Sequence, residues 1–340
     1  MSAPTSYVTN PDAVSKTLSS LTVGDVTELG KSYGGRSIVA VRYGEFEPID
    51  RRANLSSAHS ARDPEAFFGS RKKRVLVISS AVHGAEIESI AGVMNLISVL
   101  ESGQDLKGNK WPTISEGAAG LRIVIVPITN PDGRVRIPSD DQLEWSNDQM
   151  ETYRHGADVD GKPVEWIPGC FSPHPQRFEE RSVMGGYFND AGVNPSHGAF
   201  FDRDISPEAH LLSDLAYDET ADCFLDLHSC GSGPFFITGM GALSTEFIGR
   251  QTNIDGAWRV RMRQRQLPAP NWVNKLSGRK AMGLAGVIHH RSGSLPLCFE
   301  GGSGSRYSGG NIHQQIIDTY LTLFETLIEI GVTEGYKPPQ

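Results

Sequence analysis

Residues 75–86 read VLVISSAVHGAE. The apolar run from Val75 to Ile78 is typical of a β-strand that is covered on both faces. His83 and Glu86 follow it directly, and residues 87–100 then carry apolar side chains at helical spacing. An imidazole and a carboxylate therefore lie at a strand-to-helix junction, which is where open α/β sheets place the residues that bind ligands.

Two later apolar runs end in the same kinds of side chain. Residues 224–228 read FLDLH and end at His228, and residues 296–300 read PLCFE and end at Glu300. Because the carboxyl ends of neighbouring strands share one edge of a sheet, we expect these side chains to converge with the first pair. Two imidazoles and one carboxylate leave a tetrahedral zinc ion one vacant position for water, and a second carboxylate can accept that water's proton. The pattern predicts a zinc hydrolase.

The composition narrows the class of protein. Of the 340 residues, 38% are hydrophobic and 21% are charged, which is ordinary for a soluble enzyme with a full core. The net charge of −8 argues against an extended nucleic-acid surface. No run approaches the roughly 18 apolar residues of a membrane helix, and the first residues lack the pattern of a secretory signal. We therefore expect a cytoplasmic protein with neither nucleic acid nor membrane as a partner; the oligomeric state is not predicted.

Strands and helices alternate along the chain. This order predicts a single α/β domain over residues 1–340, with a mixed, mainly parallel sheet and helices on both faces. The predicted strands are residues 36–43, 75–78, 121–128, 223–227, 235–238 and 295–299, and the predicted helices are residues 13–21, 87–100, 206–215, 244–263 and a last helix capped by Asn311. Residues 56–73 are predicted as a surface loop, residues 137–195 as a long loop that shapes the site, and the glycine-rich residues 301–310 as a mobile loop beside it.

Three further motifs accompany the histidines and carboxylates. They are LGKSYGGRSI at residues 29–38, NPDG at residues 130–133 and GVN at residues 192–194. Together with the His83-x-x-Glu86 pair, they resemble the zinc carboxypeptidases, the carboxypeptidase A-like metallopeptidases, over most of the chain. The resemblance implies the carboxypeptidase (phosphorylase/hydrolase-like) fold and one zinc ion held by His83, Glu86 and His228. It also implies that Glu300 is the general base in the cleavage of a peptide or small amide substrate. Asp226, two residues before His228, is a candidate partner of that ligand.

The same resemblance implies an arginine that stabilises the oxyanion formed during cleavage. In the family this residue lies beyond the Asn-Pro-Asp-Gly turn, where Arg134, Arg136 and Arg154 are the candidates. We expect Arg136 to take the role, because an extended segment would place it free of the turn. Arg154 is the alternative, and we also expect it to contact the substrate.

Two departures from the family pattern concern the substrate. Where family members carry an Asn-Arg pair that binds the terminal carboxylate, this chain reads Asn194-Pro195-Ser196-His197. We expect Asn194 and Arg203 to bind the substrate, and His197 is a further substitute for the missing arginine. No tyrosine lies between residues 217 and 307, so the family's mobile active-site tyrosine has no counterpart there.

Two alternative functions remain open. The HGAE and DLHS segments also resemble those of succinylglutamate desuccinylase and aspartoacylase, zinc deacylases that act on N-acyl amino acids. A binding protein that kept the fold and lost turnover is the other alternative, although the complete set of three metal-binding side chains and Glu300 argues against it.

Overall fold

A central sheet organises the molecule. The computed structural model describes residues 3–167, 169–172, 174–238, 243–269, 274–275, 283–303, 307 and 311–337. Its strands are β1 (Asp25–Lys31), β2 (Ser37–Tyr43), β3 (Arg74–Ser80), β4 (Leu121–Val126), β5 (Gly156–Asp158), β6 (Arg181–Met184), β7 (Cys223–Cys230), β8 (Phe235–Thr238), β9 (Asn274–Lys275) and β10 (Leu295–Gly302). Eight of them form one sheet in the order β1-β2-β4-β3-β7-β10-β8-β9, and β5 and β6 form a separate pair.

Helices cover the sheet on both sides. They are α1 (Pro11–Leu18), α2 (Leu55–Ser60), α3 (Glu65–Phe68), α4 (Glu88–Ser102), α5 (Pro112–Gly117), α6 (Pro131–Val135), α7 (Asn147–His155), α8 (Pro207–Asp218), α9 (Thr245–Gln264), α10 (Leu284–Ser292) and α11 (Ile312–Thr333). The larger core cluster packs α1, α4, α5, α9 and α11 against one face. The second cluster packs α8 and α10 against the other. The predicted α/β fold class is therefore confirmed.

Side-chain alternation along the central strands explains why they are buried on both sides. In β3, Leu76 and Ile78 enter the larger core, whereas Val75 and Val77 enter the core beneath α8 and α10. In β7, Leu225 faces the larger core. Because side chains two residues apart share a face, Asp226 and His228 both lie on the opposite face, which α8 and α10 cover.

The parallel strands β3, β7 and β10 lie side by side in the centre of the sheet. Their carboxyl ends consequently meet at one edge, and the segments that follow or end these strands carry the predicted site residues. The strand β8 runs antiparallel to β10 and closes this region on the far side.

Several local expectations differ from the structure. Residues 56–73, predicted as a loop, contain most of α2 and all of α3, and β1 and α10 were not predicted. Residues 137–195 contain α7, β5 and β6 and are not a continuous loop. Most of the glycine-rich segment at 301–310 lies outside the described residues. None of the helices in the described ranges is long and apolar enough to cross a membrane.

Candidate metal centre and active site

Three predicted ligands meet at the edge of the sheet. His83 and Glu86 lie in the turn between β3 and α4, and His228 lies near the end of β7. His83 Nδ1 is 2.9 Å from Glu86 Oε1, and His228 Nδ1 is 3.1 Å from Glu86 Oε2. The two Nδ1 atoms are 3.2 Å apart. All three side chains are buried, so they form a compact cluster of donors inside the protein.

The outer nitrogen of each imidazole is held by its own acceptor. His83 Nε2 lies 3.0 Å from Asn194 Oδ1, and His228 Nε2 lies 3.1 Å from Asp226 Oδ2. An acceptor at Nε2 favours the tautomer in which Nε2 carries the proton. Each Nδ1 then presents a lone pair to the space that it shares with the Glu86 carboxylate.

These donors fit a zinc ion. Zinc binds imidazole nitrogen and carboxylate oxygen at about 2.0–2.2 Å in tetrahedral geometry, which separates neighbouring ligand atoms by roughly 3.3 Å. The ligand atoms of His83, Glu86 and His228 all lie within 4.8 Å of one another. Burial raises the pKa of the Glu86 carboxyl, but the two imidazoles outweigh it and bring the pKa well below its ordinary value. Glu86 is thus an anion, as a metal ligand must be.

Glu300 lies beside the cluster on the neighbouring strand. It is in register with His228 across the parallel pair β7–β10, so both side chains leave the same face of the sheet. Its Oε2 atom is buried and has no hydrogen-bond partner among the described residues. Removal from water, opposed by His228 and reinforced by Glu86, raises the pKa of Glu300 to about 7.

The two candidate arginines occupy different places. Arg136 pairs with Asp190 and donates to the carbonyls of Gly185 and Phe188, so it holds that segment, and it does not line the pocket beside the metal centre. Arg154, at the end of α7, does line this pocket. The structure therefore brings Arg154, and not Arg136, to the predicted site.

Three acceptors hold the guanidinium group of Arg154. Its Nη1 atom donates to the Ser229 carbonyl at 3.1 Å and its Nη2 atom to Gln142 Oε1 at 3.3 Å, and Nη2 lies 3.6 Å from Glu88 Oε2. Its Nε atom is buried and has no partner among the described residues. A fixed cation with one unused donor consequently borders the pocket.

The other residues predicted to bind the substrate also differ in whether they line the pocket. Asn194 lines the pocket, but its amide oxygen is engaged with His83 and Ser196 and its amide nitrogen donates to the Cys170 carbonyl. Arg203 forms an ion pair with Asp214 at 2.7 Å, is half exposed and does not line the pocket. His197 lines the pocket, but burial lowers the pKa of its imidazole to about 4, so it is uncharged at neutral pH.

Tyr187 is a pocket residue that the sequence analysis missed. Its ring stacks on the His83 imidazole with a centroid separation of 3.8 Å and an interplanar angle of 5°. The only signal in the sequence was its place inside the long segment at 137–195, where no motif distinguishes it from other aromatic residues.

The Asn-Pro-Asp-Gly turn packs against the segment that carries His83 and Glu86. Asn130 accepts a hydrogen bond from the Gly133 backbone at 2.8 Å, which closes the turn. The turn then packs so closely on the HGAE segment that a Cβ atom at Gly84 would lie 2.1 Å from the Arg134 nitrogen. The absence of a side chain at Gly84 lets the two segments touch, and this contact fixes the backbone that carries His83.

The pocket beside the cluster has a volume of about 630 Å³, within the ordinary range for a small-molecule or peptide site. Besides the metal-binding side chains it is lined by Glu300, Arg154 and Tyr187 and by apolar groups from α10 and β8. The fold and this site define an α/β metallohydrolase.

Comparisons with known proteins agree with this class. The family model described as zinc carboxypeptidase matches residues 13–264, more than half of the chain. The chain belongs to the zinc carboxypeptidase family and is a zinc metallopeptidase. None of the curated proteins matches the chain in sequence. The match ends before Glu300, so the place of this residue rests on the structure alone.

Solved structures share the fold. A metallo-carboxypeptidase from Burkholderia cenocepacia is 18% identical with a TM-score of 0.59, over 94% of this chain and 68% of the other. A metallo-carboxypeptidase from Pseudomonas aeruginosa, in complex with (2-guanidinoethylmercapto)succinic acid, is 14% identical with a TM-score of 0.55, over 93% and 66%. Carboxypeptidase A from Helicoverpa armigera is 14% identical with a TM-score of 0.53, over 93% and 69%. The deacylase alternative is not favoured by these similarities.

Proposed function

We propose that this protein hydrolyses an amide bond in a peptide or small amide substrate, with one zinc ion bound by His83, Glu86 and His228. The observation that carries the proposal is the pairing of Glu300 with His228 on adjacent strands, where a buried carboxylate oxygen without a partner shares one pocket with the metal-binding cluster. The net charge of −8 supports this substrate class over nucleic acid. A cytoplasmic location stays a prediction from the sequence.

When bound at this cluster, zinc supplies Lewis acidity, which polarises a carbonyl group and brings the pKa of water to about 7. The protein positions the other groups. Glu300 accepts a proton from the attacking water and passes it to the leaving amine. Glu300 takes part in both proton transfers from one position, in register with His228 on the neighbouring strand.

Arg154 stabilises the charge that develops on the carbonyl oxygen. Its Nε atom is the unused donor, and its Nη atoms are already bound to Ser229, Gln142 and Glu88. A donor that is fixed before the reaction begins stabilises an oxyanion without the cost of reorganisation. Asn194 acts indirectly, because its amide oxygen holds His83 in the orientation that the metal requires.

Replacement of Glu300 tests the proposal. We expect Glu300→Gln to bind zinc with unchanged stoichiometry and to lower kcat by roughly 10²- to 10⁴-fold, because glutamine cannot take up the proton. The measurements are zinc content by atomic absorption and hydrolysis of N-acylated dipeptides. Glu151→Gln, which changes an exposed carboxyl at the mouth of the same pocket, is the matched control and should keep most of the activity. A Glu300→Gln enzyme with full turnover and full zinc would remove Glu300 from the mechanism.

A substrate panel tests the choice of amide. The zinc-loaded protein should cleave N-acylated dipeptides faster than N-succinyl or N-acetyl amino acids. The reverse order would favour the deacylase alternative, and zinc binding without cleavage of either class would favour a binding protein.

A further inference from the structure

Tyr187 lies between the metal-binding cluster and Arg154. Its ring stacks on the His83 imidazole, with the two centroids 3.8 Å apart and an angle of 5° between the planes. The residue is buried, and it lines the same pocket as Arg154 and Glu300. Arg154 and Glu300 each have a role in the proposed hydrolysis, whereas the Tyr187 hydroxyl has none so far.

Backbone hydrogen bonds fix the segment that carries Tyr187. The Tyr187 N–H donates to the Arg154 carbonyl at 3.1 Å, and the Gly186 carbonyl accepts from the Gly84 N–H at 2.8 Å. A Cβ atom at Gly186 would lie 2.8 Å from the Ala85 Cβ atom, so a larger residue would force the two segments apart. Tyr187 is therefore attached both to the end of α7 and to the turn after β3.

The hydroxyl group of Tyr187 points toward the metal-binding space. The hydroxyl donates a hydrogen bond to the Glu86 carboxylate, and Arg154 and Glu300 are further charged groups that act on it. Glu86 is also the group that His83 Nδ1 faces at 2.9 Å. The stacked phenol and imidazole consequently direct their polar ends to the same side.

Glu86 does not depend on the Tyr187 hydroxyl for its hydrogen bonds. The carboxylate faces His83 Nδ1 through Oε1 and His228 Nδ1 through Oε2. Its Oε2 atom also accepts from the Ser229 backbone at 3.1 Å. A phenol O–H group rotates about its C–O bond, so it can turn to another acceptor without movement of the ring. A new negative charge in the pocket would therefore attract it.

Amide hydrolysis creates such a charge. When water adds to the carbonyl carbon, the electron pair of the C=O π bond moves to the oxygen, which becomes an oxyanion. Tyr187 and Arg154 lie on the side of His83, which follows β3, whereas Glu300 lies on β10, on the other side of β7. The phenol and the guanidinium thus approach the pocket from one side and the general base from the other.

We propose that Tyr187 is a catalytic residue, whose hydroxyl donates a hydrogen bond to the oxyanion together with Arg154. The phenol keeps its proton. The bond accelerates the reaction because a fixed donor interacts more strongly with the oxyanion than with the neutral carbonyl of the substrate. This inference rests on the proposed amide hydrolysis and adds a residue to it.

Replacement of the hydroxyl alone tests the proposal. Tyr187→Phe keeps the ring that stacks on His83, and we expect it to lower kcat on N-acylated dipeptides by about 10²-fold, with little change in KM or in zinc content. Tyr153→Phe is the matched control, because Tyr153 packs on Trp145 in the same region and does not line the pocket. This control should keep the wild-type kcat. Tyr187→Leu, which also removes the ring, should in addition weaken zinc binding.

Inhibitor binding distinguishes an oxyanion donor from a residue that only supports His83. The probe is a phosphinic analogue of the same dipeptide, in which a tetrahedral phosphorus carries a charged oxygen in place of the oxyanion. Calorimetric titration of the zinc-loaded proteins should show about 10²-fold weaker binding of this analogue to Tyr187→Phe than to the wild type. The free amino acid that leaves, which lacks this oxygen, should bind both proteins equally.

Two results would overturn the proposal. One is a Tyr187→Phe protein that matches the wild type in kcat and in affinity for the phosphinic analogue. The other is a Tyr187→Phe protein whose activity falls together with its zinc affinity and returns with excess zinc, because that pattern belongs to a residue that acts through Glu86.

The same titration separates this inference from the proposed function. If the zinc-loaded wild type cleaves no dipeptide but binds the phosphinic analogue about 10²-fold more tightly than Tyr187→Phe does, the proposed hydrolysis fails and the hydroxyl stands as a donor to the charged oxygen. Equal binding of the analogue by the two proteins, with an active wild type, would leave the hydrolysis intact and remove Tyr187 from it.

Discussion

Arg154 and Arg136 differ in where their guanidinium groups lie, since the Nε atom of each is buried and has no hydrogen-bond partner among the described residues. Arg136 directs its Nη donors to Asp190 and to the carbonyls of Gly185 and Phe188, and it does not line the pocket. Arg154 is 6% exposed and lines the pocket beside the metal centre. A planar guanidinium has donors on several sides, so it can bind protein acceptors on one side and donate to a substrate on another. A lysine ammonium cannot do so in the same geometry.

We therefore expect Arg154→Lys to lower kcat/KM by roughly 10²- to 10³-fold while zinc content stays constant, as loss of one oxyanion donor does in other hydrolases. Arg136→Lys is the matched control. It should keep kcat/KM within a few-fold and instead lower the free energy of unfolding by about 1 kcal/mol, because it loses hydrogen bonds to the 185–190 segment. Steady-state kinetics and urea unfolding of both variants provide the check. The opposite pattern, with catalysis lost in Arg136→Lys alone, would return the role to Arg136.

At the scale of single elements, the beginning of α8 contains a buried carboxyl outside the active site. Glu208 Oε1 accepts from the Tyr33 backbone at 3.1 Å, and Oε2 accepts from Asn189 Nδ2 at 2.9 Å. These bonds attach α8 to the turn after β1 and to the 185–190 segment. Burial outweighs them and raises the pKa of Glu208 from 4.5 to about 7.

This shift makes stability depend on pH. The folded protein binds the Glu208 proton more tightly than the unfolded chain does, so the carboxyl stabilises the fold fully below its ordinary pKa of 4.5. That contribution is lost as the pH rises through about 7. Between pH 5 and pH 8 we expect the wild type to lose on the order of 2 kcal/mol more than Glu208→Gln does. Urea unfolding of both proteins across this range measures the difference.

An exposed control keeps the interpretation of that experiment clear. Glu116→Gln removes a carboxyl from the surface of α5 and should follow the wild-type pH curve. Parallel curves for the wild type and Glu208→Gln would show that Glu208 does not hold a proton in the folded state.

At the scale of the whole molecule, the metal centre joins segments that are distant in sequence. His83 and Glu86 come from the turn after β3, and His228 comes from β7. Three donors that meet only in the folded protein form no site in the unfolded chain, so metal binding adds to the free energy of unfolding.

Removal of the metal should therefore lower both activity and stability. We expect 1,10-phenanthroline to abolish hydrolysis and to reduce the free energy of unfolding by about 4 kcal/mol relative to protein with zinc at 1,000 times its Kd, with both restored by added zinc. Differential scanning calorimetry and the peptide assay measure these changes. His228→Ala should show a Tm that responds far less to either treatment, and a wild-type Tm that ignores the chelator would contradict the assignment of the cluster as a metal site.

The residues of the metal centre show how much of the site can be predicted from local sequence patterns. His83, Glu86, His228 and Glu300 were each predicted because an apolar run ends at or just before them, and strand ends are encoded by nearby residues. The fold class followed from the alternation of strands and helices, and the structure confirms it. Helix α10 escaped prediction because its sequence, LAGVIHHRS, has no strong apolar stripe of its own and is stabilised by contacts with α8 and the sheet.

Sequence alone determined the identity of the central strands, the order in which the metal-binding side chains arrive and the chemistry that they permit, because each depends on a few consecutive residues. The tertiary structure decided which arginine reaches the pocket, since that depends on the path of residues 137–195 over the sheet edge. It also decided that Tyr187 stacks on His83, because the backbone around Tyr187 is bonded both to the turn after β3 and to the end of α7. Such neighbours are set by strand pairing and packing across the whole fold, which no local periodicity records.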